Sequence, residues 1–429
     1  MLVWHVCLWM ILKDAVMNKI RLLSTIVASK DIPFCSAGIE KGMHCPMRMA
    51  SYVAHSIQGL SSLVIGMPEC SVYAGMLFPY GEGLKDGLHY HYVLDGREVV
   101  FGCQDGVSEA VREMAMEKVR YLLIIVTCIP ELIGEDLESL AISLQKELSI
   151  HIAIVHLAQF INIGFPSGSW KSMQKLASFT QAKGKDPLSL NVLGTYQEEE
   201  VLFSHLSAVN YSLRYIGPKC RIEDIVEAGD ARLNLVVTPY TQQMAVVLEQ
   251  RCETPYIALH SSYRVADIDE KYNRIAEYLH LNLSDYDAIR TETMMLEQEV
   301  SLYCKGMRCV LGPRLDLPLE LAEYLIFLGL IPVLINVDEL YPETLHLAKK
   351  LVGQGWDIPV CRINIGRSSL EYINSLSVDM ILGDVEGFVD EEIIQVPNLL
   401  DLYSQVGYAR TRRLLGRILQ QCKNKVRRI

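Results

Sequence analysis

The sequence predicts an α/β protein built on mainly parallel sheets flanked by helices. Two observations predict it: short apolar or β-branched runs that stop at Gly, Pro or Asn, and amphipathic stretches that follow them. Length is a third, because 429 residues exceed one core and imply two or three domains.

The strand candidates are residues 63–66 (LVIG), 121–127 (YLLIIVT), 150–156 (IHIAIVH), 190–194 (LNVLG), 233–238 (LNLVVT), 309–312 (CVLG), 331–336 (IPVLIN) and 380–383 (MILG). Apolar side chains on successive positions mean burial on both faces, as in parallel strands covered by helices. The helical candidates are 135–148, 240–251, 268–280, 317–328 and 342–352. Their alternation with the strands implies right-handed crossovers. Glu135 and Asp136 stand at the first helix's start, where carboxylates offset the helix dipole. A polar, linker-like stretch at 164–187 and a long connecting helix between 280 and 303 mark the breaks in organisation.

Composition narrows the function. A net charge of −11 argues against nucleic-acid binding, which demands a basic face. No apolar run reaches the roughly 20 residues that span a bilayer, so no membrane association is expected. The opening MLVWHVCLWMIL has no preceding basic residue and no small-residue cleavage site. It reads as an over-extended start before Met17 or a peripheral apolar segment, and the protein as cytoplasmic. The twelve cysteines are irregularly spaced with no C-x-x-C pair, which speaks against a disulfide framework or a zinc ribbon.

Three cysteines stand where doubly wound sheets collect ligands, at strand ends that meet helix starts. Cys128 follows YLLIIVT, Cys70 follows SSLVIGMPE, and Cys45 precedes Pro46 and the helical RMASYVAHSIQGL. A thiolate near a helix N-terminus has a lowered pKa, and thiolate is the form that binds iron. Any one of the three alone also reads as a small buried hydrophobe.

The runs CPMRMASYVAHSIQGLSSLVIGMPEC, VVFGCQDGVSEAVREM and IIVTCIPELIGEDLESL resemble the cluster-binding half of nitrogenase component 1 subunits. The spacing agrees, with 25 residues from Cys45 to Cys70 and 58 from Cys70 to Cys128. The likeness continues through LNVLGTYQEEEVLFSHL, LAEYLIFLGLIPVLI, VDMILGD and VGYARTRRLLGRI. It implies three Rossmann-like domains: a cluster-binding domain at 31–187 with the C-terminal helix 391–429 packed back on it, a second at 188–300 and a third at 301–390, after a peripheral segment at 1–30. It implies an iron–sulfur cluster, 4Fe-4S or of the larger P-cluster type, held at a subunit interface by Cys45, Cys70 and Cys128. The partners implied are a homologous subunit, in a dimer or tetramer, and an ATP-dependent P-loop iron-protein reductase. The function implied is that of an oxidoreductase subunit relaying electrons through this cluster to a substrate. No nucleotide site is expected on this chain, since the run from Gly168 to Ser172 lacks the glycine before lysine that a P-loop requires. The cysteine that holds the family's large catalytic cofactor is absent from LNLVVTPYTQQMAV, and the matching histidine from VEGFVDEEIIQVPNLLDLYSQVGY. The resemblance is therefore to subunits without that cofactor, or to relatives reducing other substrates. Two further readings stay open: a scaffold for metallocluster assembly, and an α/β binding protein with incidental thiols.

Other candidates carry less. Cys35 is a further candidate ligand ten residues before Cys45, and Cys103 in VVFGCQDG reads as packing or as a loop wall near the cluster. His89 and His91 in LHYHYV share one face of a strand, a geometry metals can use, but no third ligand is evident. Cys252, Cys304, Cys309, Cys361 and Cys422 read as structural. The last 20 residues carry eight basic and no acidic side chains, either a solvated helix face or a contact for an acidic partner.

Overall fold

A computed structural model describes residues 19–33, 45–75, 87–161, 167–195, 201–282, 286–313, 315, 317–337, 340–362, 373–384 and 391–426. Residues 1–18 of the apolar opening, and Cys35, lie outside them. The fold is α/β with three sheets whose strands are parallel save one edge strand. Each of the runs expected to form strands does so within a residue or two, except that the strand expected from 190 begins four residues earlier, at Asp186. Contacts divide the chain into two compact units, one of residues 41–196 and 206–258, the other of 1–40, 197–205 and 259–429.

The first-numbered strand, β1 (Arg21–Leu22), belongs to the second of these units and is taken up with it below. The unit of residues 41–196 and 206–258 holds two four-stranded sheets. Its first sheet contains β2 (Ser61–Gly66), β3 (His89–Val93), β4 (Tyr121–Val126) and β5 (His151–His156), in the order β3-β2-β4-β5. The second contains β6 (Asp186–Leu193), β7 (Ser212–Ile216), β8 (Ala231–Val236) and β9 (Tyr256–Ala258), in the order β7-β6-β8-β9. Both orders reverse direction between the first strand and the third, which opens a crevice at the carboxyl ends of those two strands. Around the first sheet lie α1 (Pro46–Ser56), α2 (Pro68–Gly75), α3 (Gln104–Met116), α4 (Cys128–Ile133), α5 (Leu137–Leu148) and α6 (Ser167–Leu176). Asp136 caps α5 by accepting from the Ser139 amide at 3.1 Å, as expected for a carboxylate at a helix start. Glu135 has a different role: it accepts from the Cys103 amide at 3.0 Å.

The other unit holds a six-stranded sheet, β1-β12-β11-β10-β13-β14. These are β10 (Arg308–Leu311), β11 (Ile331–Asn336), β12 (Pro359–Cys361), β13 (Met380–Leu382) and β14 (Ile394–Val396), with β1 antiparallel on β12. Residues 19–30 were expected to be peripheral; instead β1 joins this sheet, and Leu23 and Ile26 are buried in its core. The cause is apolar burial reinforced by Arg362, whose buried guanidinium donates to the Ser29 carbonyl at 2.7 Å and to the Ile32 carbonyl. The long helix expected between 280 and 303 is present, running Asp287–Cys304. The terminal helix, Gly407–Val426, packs on it and on β14. Its basic side chains face acids of the same unit: Arg412 meets Glu292 at 2.9 Å, Arg417 meets Asp401 at 2.5 Å and Lys423 meets Glu299 at 2.7 Å. Among the described residues no helix is long and apolar enough to cross a membrane.

Candidate functional site

The order of the first sheet switches between β2 and β4, and the connections leaving those two strands carry two of the three cysteines. Ile65 pairs with Val126, so the two strands finish level, at Gly66 and Thr127. Cys70 lies in the first turn of α2, two residues past Pro68, and Cys128 is the first residue of α4. Thr127 joins the two connections: its hydroxyl donates to the Ile65 carbonyl at 2.8 Å and sits 3.7 Å from the Cys70 Sγ. Only glycine fits at position 66. A Cβ there would lie 2.3 Å from Thr127 Oγ1 and 3.0 Å from the Cys70 sulfur.

Cys45 reaches the same core from α1. It is the extended residue before the helix, with Pro46 in the first turn, where the missing N–H costs nothing. The start of α1 is fixed against α6 by a second close approach. A Cβ on Gly168 would meet the Pro46 carbonyl oxygen at 2.2 Å and the Met49 Cβ at 2.7 Å. Cys45 and Cys70, both half-buried, pack on one aliphatic cluster with Val64, Leu123 and Ile125 of β2 and β4.

The electrostatics correct one expectation. Burial raises the Cys45 thiol above its ordinary range, although the Met47 and Arg48 amides of the first helical turn oppose the shift. The neighbouring Cys70 and Cys128 thiols raise it further. The helix start alone therefore does not make Cys45 acidic; an iron ligand there is deprotonated by the metal it binds. Cys128 has an amide donor, the Gln159 N–H beyond β5, at 3.3 Å from its sulfur. Glu131 of α4 braces the same connection by accepting from the Ala158 amide at 3.1 Å. The Arg48 Nε, three residues beyond Cys45, is buried without a hydrogen-bond partner among the described residues.

No group of three or more His, Cys, Asp and Glu side chains among the described residues is drawn together for a single metal ion. A polynuclear cluster asks for a looser arrangement, because its inorganic core stands between the ligands. Two free thiols on the connections leaving β2 and β4, a third packed on the same core, an amide aimed at one sulfur and a glycine beside another fit such a group. Cys103 is buried in the core behind β2, and burial pushes its thiol up to about 12, so packing is its role.

His89 and His91 do lie together on β3, but their neighbour is a histidine that sequence reading missed. The His55 ring of α1 stacks on His89, with centroids 3.7 Å apart and planes 16° from parallel. Ser62 Oγ lies 2.9 Å from His89 Nδ1. Burial lowers His55 to about 4 and His89 to about 3, each lowered further by a neighbouring histidine, and burial also lowers His91. These rings bind protons more weakly folded than unfolded. Their contribution to stability is whole above the unfolded value near 6.5 and is lost as pH falls toward 4. Thermal melts should therefore show a lower midpoint at pH 5.5 than at pH 7.5. A His55→Phe variant, which keeps the stack and removes one titrating ring, should show a smaller drop; an equal drop would contradict this assignment.

Comparison with known proteins identifies the family and the fold. A family model described as nitrogenase component 1 type oxidoreductase matches residues 45–423. The chain is 25% identical over 236 residues to the nitrogenase iron-molybdenum cofactor biosynthesis protein NifE of Rippkaea orientalis (strain PCC 8801 / RF-1), which covers 51% of this chain and 49% of that protein. The match thus spans about half the length of this curated relative. Among solved structures, one titled "Nitrogenase Cp1 at pH 6.5" superposes with a TM-score of 0.68 at 18% identity, over 92% of this chain and 95% of that one. Another, "Nitrogenase Cp1 at pH 5", gives 0.58 at 17% identity, over 96% and 98%.

Proposed function

This chain belongs to the nitrogenase component 1 type oxidoreductase family, and from that premise we propose that it is the iron–sulfur subunit of a nitrogenase-like complex. In this reading Cys45, Cys70 and Cys128 are ligands of an interface cluster, and the subunit takes electrons from an ATP-dependent iron-protein reductase and passes them to a substrate. What supports it is the position of Cys70 and Cys128 on the two connections that leave β2 and β4, with Cys45 packed on the same core as Cys70.

When bound, an iron–sulfur cluster supplies one-electron redox chemistry. The chain's own residues do the rest. The three thiols would give up protons on ligation, so loading would be favoured by higher pH, and burial at Cys45 works in the same direction. The Gln159 amide spreads charge from the Cys128 sulfur, which favours the reduced state. Gly66 and Gly168 keep side chains out of the space beside Cys70 and the α1 start.

Exposed apolar residues support a homologous subunit as partner. Val72, Phe101, Leu132, Phe160 and Ile161 are all exposed, Phe101 by 84%, and lie in the connections that leave the carboxyl ends of β2 to β5. An apolar rim of this kind around a cluster site is suited to coverage by a second protomer.

The kinship with a cofactor biosynthesis protein favours one second reading, a scaffold on which a metallocluster is built and handed on. The two readings separate in one experiment. Anaerobically reconstituted protein is reduced by its iron-protein partner with ATP, and iron is followed on each component. A relay keeps its iron through many turnovers while substrate is reduced; iron that leaves for an acceptor protein overturns the relay in favour of the scaffold.

A further inference from the structure

Cys304 is the last residue of the helix Asp287–Cys304, and Cys422 lies one turn from the last described residue of the terminal helix. Both are free thiols, buried to 0% and 4% exposure, and their sulfurs are 3.7 Å apart across 118 residues of chain. That is van der Waals contact between two sulfurs; a disulfide bond is about 2.05 Å long. Side-chain rotation and a small shift close the gap. Neighbouring contacts hold the register that faces the thiols: Lys423 pairs with Glu299 at 2.7 Å, and its ammonium lies 5.9 Å from the Tyr303 ring centre.

We propose that Cys304 and Cys422 form a reversible disulfide that latches the long helix to the terminal helix under oxidising conditions. The inference is independent of the cluster reading, since it uses neither its cysteines nor its unit. Cys422 is the attacking thiol. Lys425, three residues on, favours the Cys422 thiolate.

The oxidant is a low-molecular-weight disulfide such as oxidised glutathione. The Cys422 thiolate attacks one of its sulfurs, forming a mixed disulfide and releasing one small thiol. Cys304 then loses its proton and attacks the Cys422 sulfur, and the second small thiol leaves. Two protein thiols thus lose two electrons and two protons, and the reagent becomes two thiols. Among the described residues Cys309, fully buried in β10, shares the same core and is the competing thiol.

The test is equilibration of the whole folded protein in oxidised and reduced glutathione, followed by acid quenching, alkylation and peptide mapping. The expected product is a peptide pair joined through Cys304 and Cys422 and lighter by two hydrogens, reversed by dithiothreitol. Closing so long a loop should raise the melting temperature by roughly 5–10 °C. Cys422→Ser should abolish both the linked pair and the shift, and Cys309→Ser should leave both in place. Full alkylation of Cys304 and Cys422 after oxidation and unfolding, or linkage of either to Cys309, would overturn the proposal. Folding of the serine variants is read independently by circular dichroism.

Discussion

Cys128→Ala is expected to remove at least about nine-tenths of the iron and sulfide that the wild-type chain retains after anaerobic reconstitution, with the fold intact. The loss is large because Cys128 occupies a position no other side chain can take over. It opens α4 directly from β4, and its sulfur is the acceptor for the Gln159 amide. Replacing even an outer partner of a metal ligand costs about tenfold to a hundredfold in affinity, and losing the ligand itself should cost more. The truncation is structurally mild because Cys128 is only half-buried. Cys70→Ala should behave alike. Cys103→Ser is the control: its sulfur is buried in a separate core, so iron content should stay near the wild-type level while stability falls. Iron and sulfide assays with circular dichroism on the same samples read both arms. Equal iron in the Cys128→Ala and wild-type proteins would remove Cys128 from the ligand set.

Gly66→Val should be the most damaging single change near the site that leaves every cysteine in place. The Cβ alone would fall 2.3 Å from the Thr127 hydroxyl and 3.0 Å from the Cys70 sulfur, and two methyl groups would extend beyond it. Both neighbours are anchored, Thr127 through its bond to the Ile65 carbonyl and Cys70 through the bond from its amide to the Met67 carbonyl. Strand and helix must part to make room. Overpacking of this kind costs about 1–3 kcal/mol, and the break in the Thr127 bond adds to it. Thermal melts should drop by several degrees, and reconstituted iron should fall with them because Cys70 is displaced from Cys128. A Gly66→Val protein with normal melting and full iron would show that this close approach does not matter to the site.

Much of the fold was legible because its central strands are buried on both faces. Runs such as YLLIIV in β4 and LNLV in β8 are apolar at successive positions, and each ends in a turn residue or a helix start. The strands not expected are those without that signal. β7 carries Ser212, Arg214 and an exposed Tyr215, while β9, β12 and β14 are three residues each, a length at which periodicity seldom registers, although β13, equally short, was found from its MIL run. β3 was read only as a possible strand around its histidines, and its HYHYV sequence sits at the edge of the sheet.

The site was legible in its residues and not in its supports. Cys70 and Cys128 could be placed at strand ends from their flanking sequences. That β2 and β4 are adjacent, and so bring Thr127 against Cys70, depends on sheet order, which local sequence does not encode. For the same reason the stack of His55 on His89 had no signal, since it joins a helix to a strand 34 positions away. The acidity expected of Cys45 was wrong in sign because a helix start is a weaker influence than burial beside two other thiols.

The most direct measurement is anomalous scattering at the iron absorption edge, from crystals of the protein purified and grown without oxygen. The account predicts iron density bonded to the sulfurs of Cys45, Cys70 and Cys128, at the rim where β2 and β4 end. Iron bound elsewhere, or those three sulfurs packed among aliphatic side chains with no iron beside them, would contradict it.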